Sequence, residues 1–183
     1  MMMMMMNNRN DFLKDLIILK KTMTVIQLTR VVRVLPQYLT SSLNKTILEE
    51  TRKQLEGNCS ESIGHIIKIL EVKEIIDNKI ENSSSDIVFT VDILVDIFKP
   101  EVNMVETGKV IAIYKDGVLI ELRGIQKVLV PANSYKDCYV MKNSTFLEHI
   151  EGTEIRVGDT IDVKIQAIMY GDHSFSCIGE FSD

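Results

Sequence analysis

Residues 108–131, GKVIAIYKDGVLIELRGIQKVLVP, decide how this chain is read. Aliphatic and β-branched residues fill three short runs, 108–114, 118–122 and 125–130, and such side chains suit strands better than helices. Turn chemistry separates the runs. Lys115-Asp116-Gly117 reads as a hairpin turn of the Asp-Gly type, and Arg123-Gly124 as a second turn. Pro131 ends the third run. Further along, Gly158-Asp159 opens a strand in which Ile161, Val163, Ile165 and Ala167 alternate with Asp162, Lys164 and Gln166. Gly171-Asp172 then turns into a last run, 173–181. Five strands, with a longer polar connection over 132–154, predict a small Greek-key barrel of the OB type.

The preceding half reads differently. Residues 24–35 are rich in β-branched residues and stop at Pro36, which predicts a strand. Ser42 can cap a helix over 40–55, with Leu43, Ile47, Leu48 and Leu55 on one face, and Gly57-Asn58 stops it. A strand is expected from Gly64 to about Ile76, with a bend or close approach near Gly64. Turn residues follow over 77–86. Residues 87–98 alternate: Ile87, Phe89, Val91, Ile93, Val95 and Ile97 point one way, while Val88, Thr90, Asp92, Leu94 and Asp96 point the other. The expected fold class is therefore an α+β domain, one helix on a small antiparallel sheet, followed by the all-β five-stranded barrel. The domains are placed at 23–103 and 104–183. Residues 1–22, opening with six methionines and an Asn-rich patch, are expected to be a disordered or short helical extension, with Phe12, Leu16 and Leu19 on one side.

The 183 residues are 45% hydrophobic and 26% charged, enough for a packed core. No uncharged apolar run reaches the roughly 18–20 residues of a membrane helix, so no membrane association is expected. Cys59, Cys138 and Cys177 and the three histidines are scattered, which argues against a disulfide framework and against metal or cofactor binding. There is no phosphate-binding glycine loop and no nucleophile elbow. Cys59 with His65 is too weak a pairing to suggest a thiol enzyme. The net charge of −5 lies wholly in the second half: residues 101–183 hold 8 Lys+Arg against 13 Asp+Glu, while residues 1–100 are balanced at 13 each. Autonomous duplex binding is thereby disfavoured.

Barrels of this type bind single strands on the face of their second and third strands and on the flanking loops. Bases stack on aromatic rings while Lys and Arg track the backbone. The residues that fit are Tyr114, Lys115, Arg123, Lys127, Lys164 and His173, with Tyr135, Lys136, Tyr170 and Phe175 as further candidates; Tyr114, Tyr170 and Phe175 could equally close the barrel ends as core, and the lysines could be ordinary surface. In an acidic domain this contact should be weak and salt-sensitive, and useful when tethering supplies effective concentration.

The ordered series of motifs resembles the larger stalk subunit of archaeal and eukaryotic nuclear RNA polymerases, the seventh-subunit family of RNA polymerase II. It runs through Leu35-Pro36-Gln37-Tyr38-Leu39, Leu55-Glu56-Gly57-Asn58-Cys59, Ile63-Gly64-His65-Ile66-Ile67, Asp96-Ile97-Phe98-Lys99-Pro100-Glu101, Gly108-Lys109-Val110 and the final pair of strands. The resemblance begins near Met23; residues 1–22 have no counterpart in it. It implies a non-catalytic subunit of DNA-directed RNA polymerase. Its first domain would dock on the polymerase core near the clamp through Gly57, Asn58, Ser60, Gly64, His65 and Asn78. A small helical stalk partner would lie along the chain, and the barrel would offer a weak surface to nascent single-stranded RNA. It also implies location in the nucleus, or in the virion and host cytoplasm should the Ile/Asn/Lys-rich chain come from a large DNA virus. The alternative is a free-standing OB-fold RNA-binding or translation-factor-like module.

Overall fold

The computed structural model describes residues 23–39, 42–81, 86–135, 139–143, 146–149 and 154–182. The chain divides into two compact units. The first is Met1–Asn58 with Ile66–Phe98, and the second is Lys99–Asp183 with the excursion Cys59–His65. The division after Phe98 falls slightly before the expected one. The excursion gives the second unit seven residues that the sequence reading placed in the first. The extension at 1–22 lies outside the described residues.

In the first unit, β1 (Thr24–Val34) pairs antiparallel with β4 (Ile87–Phe98) over its whole length, from Thr24 opposite Ile97 to Val34 opposite Ile87. β4 is followed in the sheet by β3 (Gly64–Ile80), whose first residues pair with β2 (Cys59–Ser60) of the excursion counted with the second unit. Phe89, Val91, Ile93, Val95 and Ile97 are buried, as their alternation predicts, together with Val32 and Val34 of β1. Each such side chain contributes about 1.5–3 kcal/mol relative to exposure.

Helix α1 (Leu43–Leu55) buries Ile47 completely, but its other buried positions are Thr46 and Thr51. Leu43, Leu48 and Leu55 are only half-buried. Thr51 can be buried because its hydroxyl donates to the Ile47 carbonyl at 2.6 Å. The helix also serves the backbone of two strands. The Gln54 amide donates to the Arg33 carbonyl at 2.8 Å. The Glu56 carboxylate accepts the Ile69 N–H at 2.8 Å, and Arg52 donates to the Ile69 carbonyl at 3.2 Å. These bonds satisfy strand groups that would otherwise lie open at an edge. Gly57, at φ +84°, ends the helix in the left-handed region as expected.

The reading of 77–86 as a turn needs correction. β3 continues to Ile80, and the Glu81 N–H donates to the Asp86 carbonyl at 2.8 Å. Asp77, Asn78 and Lys79 are exposed strand residues, and polar side chains cost little on a water-facing ribbon.

In the second unit five strands close a barrel in the order β11-β12-β7-β6-β5. They are β5 (Val105–Tyr114), β6 (Gly117–Leu122), β7 (Gln126–Pro131), β11 (Thr160–Gly171) and β12 (Ser174–Phe181). β5 pairs with both β6 and β11, and β11 with both β5 and β12. Each carries a register shift, between Val110 and Ala112 in β5 and between Ile165 and Ala167 in β11. Such bulges bend a strand enough to serve two neighbours and close the cylinder. Val110, Ile120, Leu122, Val128, Val130, Val163 and Ile165 fill the interior with no exposure. The connection at 132–154 is not wholly irregular: β8 (Tyr139–Asn143), β9 (Phe146–His149) and β10 (Glu154–Arg156) form a small antiparallel sheet.

Gly117 is needed for a reason other than its expected turn conformation. Tyr114 pairs with Gly117, so the two-residue turn is Lys115-Asp116, and none of the three has a positive φ. A Cβ on Gly117 would lie 2.5 Å from the Val130 carbonyl oxygen, inside the buried β6–β7 contact. Gly117→Ala should therefore destabilise the protein by about 1–3 kcal/mol, the usual range for overpacking. Urea unfolding checks this; an unchanged midpoint would show that the strands separate freely.

Candidate functional site

The outer face of β6 and β7 is the natural place for a nucleic-acid strand on such a barrel. Here it presents Leu119 and Glu121 from β6, and Lys127, Leu129 and Pro131 from β7. No aromatic ring stands on it. Tyr114, 56% exposed at the end of β5, is the nearest ring able to stack, and Lys115 follows it in the turn. Lys127 lies toward the opposite end of the face, in a row where Lys109 pairs with Glu121 and Glu121 with Lys127.

The remaining sequence-predicted contacts separate. His173 is exposed in the β11–β12 turn, where Asp172 and His173 both take positive φ, at 50° and 56°. The parallel pairing of β12 with β7 puts this turn toward the Lys127 end. Lys164 lies on β11, with its ammonium 3.5 Å from Glu180. Arg123 is a correction. Its side chain is only 13% exposed and turns to the buried Glu106, 3.9 Å away, so it is not free to follow a phosphate backbone. Burial pushes the Glu106 carboxyl above its usual range, Arg123 pulls it back, and Asp162 adds to the rise. The face thus has a lysine at each end, Lys115 beside Tyr114 and Asp116, and Lys127 opposite Glu121, separated by an aliphatic centre, with His173 in the turn toward the Lys127 end.

Tyr170, Phe175 and Tyr135 belong to the packing. The Tyr170 and Phe175 rings lie 5.0 Å apart, and Tyr135 packs on Phe181 at 5.2 Å. Lys136 lies outside the described residues.

The residues expected to dock on a polymerase also separate. Gly57 and Asn58 are exposed at the end of α1, where the Asn58 amide donates to the Gln54 carbonyl at 2.8 Å. Asn78 is exposed on β3, not in a loop. Ser60, Gly64 and His65 belong to the second unit. Ser60 is half-buried and its hydroxyl accepts the Ile63 N–H at 3.3 Å. Gly64 is buried at φ +92°. His65 is buried rather than presented: its ring lies 5.9 Å from Phe175 and its Nε2 is 2.9 Å from the Gln126 Oε1.

Gln126 was not singled out from the sequence. Its amide nitrogen donates to the Lys127 carbonyl at 2.7 Å and the Phe175 carbonyl at 2.9 Å. Only its oxygen then faces the imidazole, so His65 Nε2–H is the donor. The Tyr170 hydroxyl donates to the Cys59 carbonyl at 3.3 Å, and Lys99 to the Ser62 carbonyl at 3.1 Å. These bonds hold the excursion Cys59–His65 within the unit.

Nothing in this arrangement activates a nucleophile. Burial raises the Cys59 thiol and pushes Cys177 up to about 11, so neither is a thiolate at neutral pH. Among the described residues no three His, Cys, Asp or Glu side chains could hold a metal, and no helix is long and apolar enough to cross a membrane.

Two family models match the chain. Residues 29–85 match the SHS2 domain found in the N terminus of Rpb7p/Rpc25p, and residues 99–176 match the S1 RNA binding domain.

Two outcomes follow from the buried polar groups. Gln126→Leu should cost about 2–4 kcal/mol, because it strands the His65 N–H and the Phe175 carbonyl away from water; a loss under about 0.5 kcal/mol in urea unfolding would mean these groups find other partners. Glu106, with its folded value raised, contributes stability that is complete below the ordinary carboxylate range and is lost as pH rises through the raised value. Relative to Glu106→Gln, whose side chain does not titrate, the wild type's urea midpoint should therefore fall as pH rises from below the ordinary carboxylate range through the raised value. The opposite trend would show that Arg123 governs the carboxylate.

Proposed function

From the chain's membership of the Rpb7/Rpc25 family of larger stalk subunits of DNA-directed RNA polymerase, we propose that it is a non-catalytic stalk subunit that docks on the polymerase core and guides the emerging transcript. The observation that carries this reading is the order of the two domains, SHS2 followed by S1, across most of the chain. The first unit supplies the docking element. Gly57 and Asn58 at the end of α1, and Asn78 on the exposed half of β3, are its accessible candidates. Docking near a mobile clamp biases that clamp only through differential contact with its open and closed states. A small helical partner completes the stalk.

The barrel contributes weak contact with single-stranded RNA. Lys115 with Tyr114, and Lys127 with His173, are the groups placed to meet phosphates and bases. Two exposed lysines in an acidic domain give a low, salt-sensitive affinity. Such contact becomes effective when the polymerase holds the transcript alongside. No step of this role requires a catalytic side chain.

Purification of the tagged chain from its own source should recover the large polymerase subunits in near-equal amounts; their absence, with ribosomal material or free RNA instead, would favour a free-standing RNA-binding module. Within the polymerase, Lys115→Glu with Lys127→Glu should reduce crosslinking to nascent RNA by at least about threefold while leaving co-purification intact. Unchanged crosslinking would place the RNA elsewhere, and loss of co-purification would place these lysines in the docking surface.

A further inference from the structure

Strand β1 forms one edge of the first unit's sheet. It pairs with β4 residue by residue along its 11 residues, without a register shift. In such a ladder the backbone groups of successive residues turn alternately toward the partner strand and away from it. Arg33 shows which residues turn away. Its N–H donates to the Gln54 side-chain oxygen at 3.4 Å and its carbonyl accepts the Gln54 amide at 2.8 Å, both on α1 rather than β4. Val25, Gln27, Thr29 and Val31 share its parity, so their N–H and C=O groups also face away from β4. Among the described residues one of these groups has a partner: the Thr29 carbonyl accepts the Arg30 guanidinium at 2.9 Å. Val25 is 45% exposed and Val31 59%. β1 carries no proline, lysine or bulge, the usual devices that keep an edge from recruiting another strand. Its two charges, Arg30 and Arg33, lie toward one end and leave Val25 to Thr29 without one.

We propose that residues 12–19 of the same chain, which lie outside the described residues, fold back along this edge as a further antiparallel strand. Position favours this occupant. The run leads into β1 through residues 20–23 alone, and connections of four residues are common in hairpins. So short a tether presents the run to the edge at a concentration on the order of millimolar, which a second copy or a separate protein has to match. Length agrees as well, because the run of eight residues faces the seven from Val25 to Val31. Composition completes the match. Phe12, Leu16 and Ile18 alternate with Leu13, Ile17 and Leu19, so a strand here offers apolar side chains on both faces. One face would lie beside the exposed Val25 and Val31, the other beside the half-buried Ile26 and Leu28. A helix over the same residues has less to hold it, since isolated helices shorter than about 12–15 residues are marginal in water. It would also leave the edge groups of β1 unpaired. This placement is independent of the polymerase reading.

The test is amide hydrogen exchange read by NMR on the full-length chain, wild type against Leu16→Pro with Ile18→Pro. Proline removes a ladder donor and breaks a strand. The melting temperature establishes that the variant is folded. The N–H groups of Val25, Gln27, Thr29 and Val31 should exchange at least about tenfold more slowly in the wild type than in the variant. Those of Ile26, Leu28 and Arg30, which face β4, should be slow in both and serve as the internal control. In the wild type alone, nuclear Overhauser contacts should join backbone protons of residues 12–19 to those of residues 25–31, a readout that stands even where the variant does not fold. Equal exchange in the two proteins, or sequential amide contacts of a helix over residues 12–19, would overturn the proposal. So would slow exchange that accompanies dimerisation in sedimentation, which would give the edge to a second copy. Slow exchange found only in the polymerase-bound chain would give it to another protein and overturn the proposal equally.

Discussion

The second unit depends on one buried amide. β7 and β12 are the strands whose pairing closes the barrel, and their parallel register covers only Val128 with Cys177 and Leu129 with Ile178. Gln126 extends that seam with a side chain, donating to the Phe175 carbonyl. The same group donates to Lys127 and accepts from His65, so every polar atom of the amide has a partner. Buried polar groups in this condition specify a single arrangement, because any slip leaves several unpaired together. The position of the β11–β12 turn, and with it His173, follows from the seam. So does the pairing of Leu129 with Ile178, two exposed residues that meet across the seam.

Much of the architecture was legible because it rests on local patterns. The alternation of 87–98 identified the face of β4 that is buried, and the glycine after Leu55 marked the end of α1. The five barrel strands were legible from apolar runs and turn residues. What escaped depends on partners distant in sequence. Arg123 resembles a free surface cation until the barrel brings it to Glu106, which lies on a neighbouring strand. His65 and Gln126 are 61 residues apart, and neither has a local signal for the bond between them. The side chains of Asp77 and Asn78 favour turns, but on an exposed ribbon the ladder to the neighbouring strand outweighs that preference. Gly117 was legible as a required glycine, although the requirement is close approach to Val130 rather than a left-handed turn.

The candidate site was legible in its ends and not in its centre. Tyr114, Lys115, Lys127 and His173 are accessible, as their positions in turns and at strand ends imply. Whether a leucine on a barrel strand faces in or out, however, depends on the register, and the shifts at Val110/Ala112 and Ile165/Ala167 reset that parity partway along two strands. Only the paired strands reveal that Leu119 and Leu129 lie side by side on the outer face.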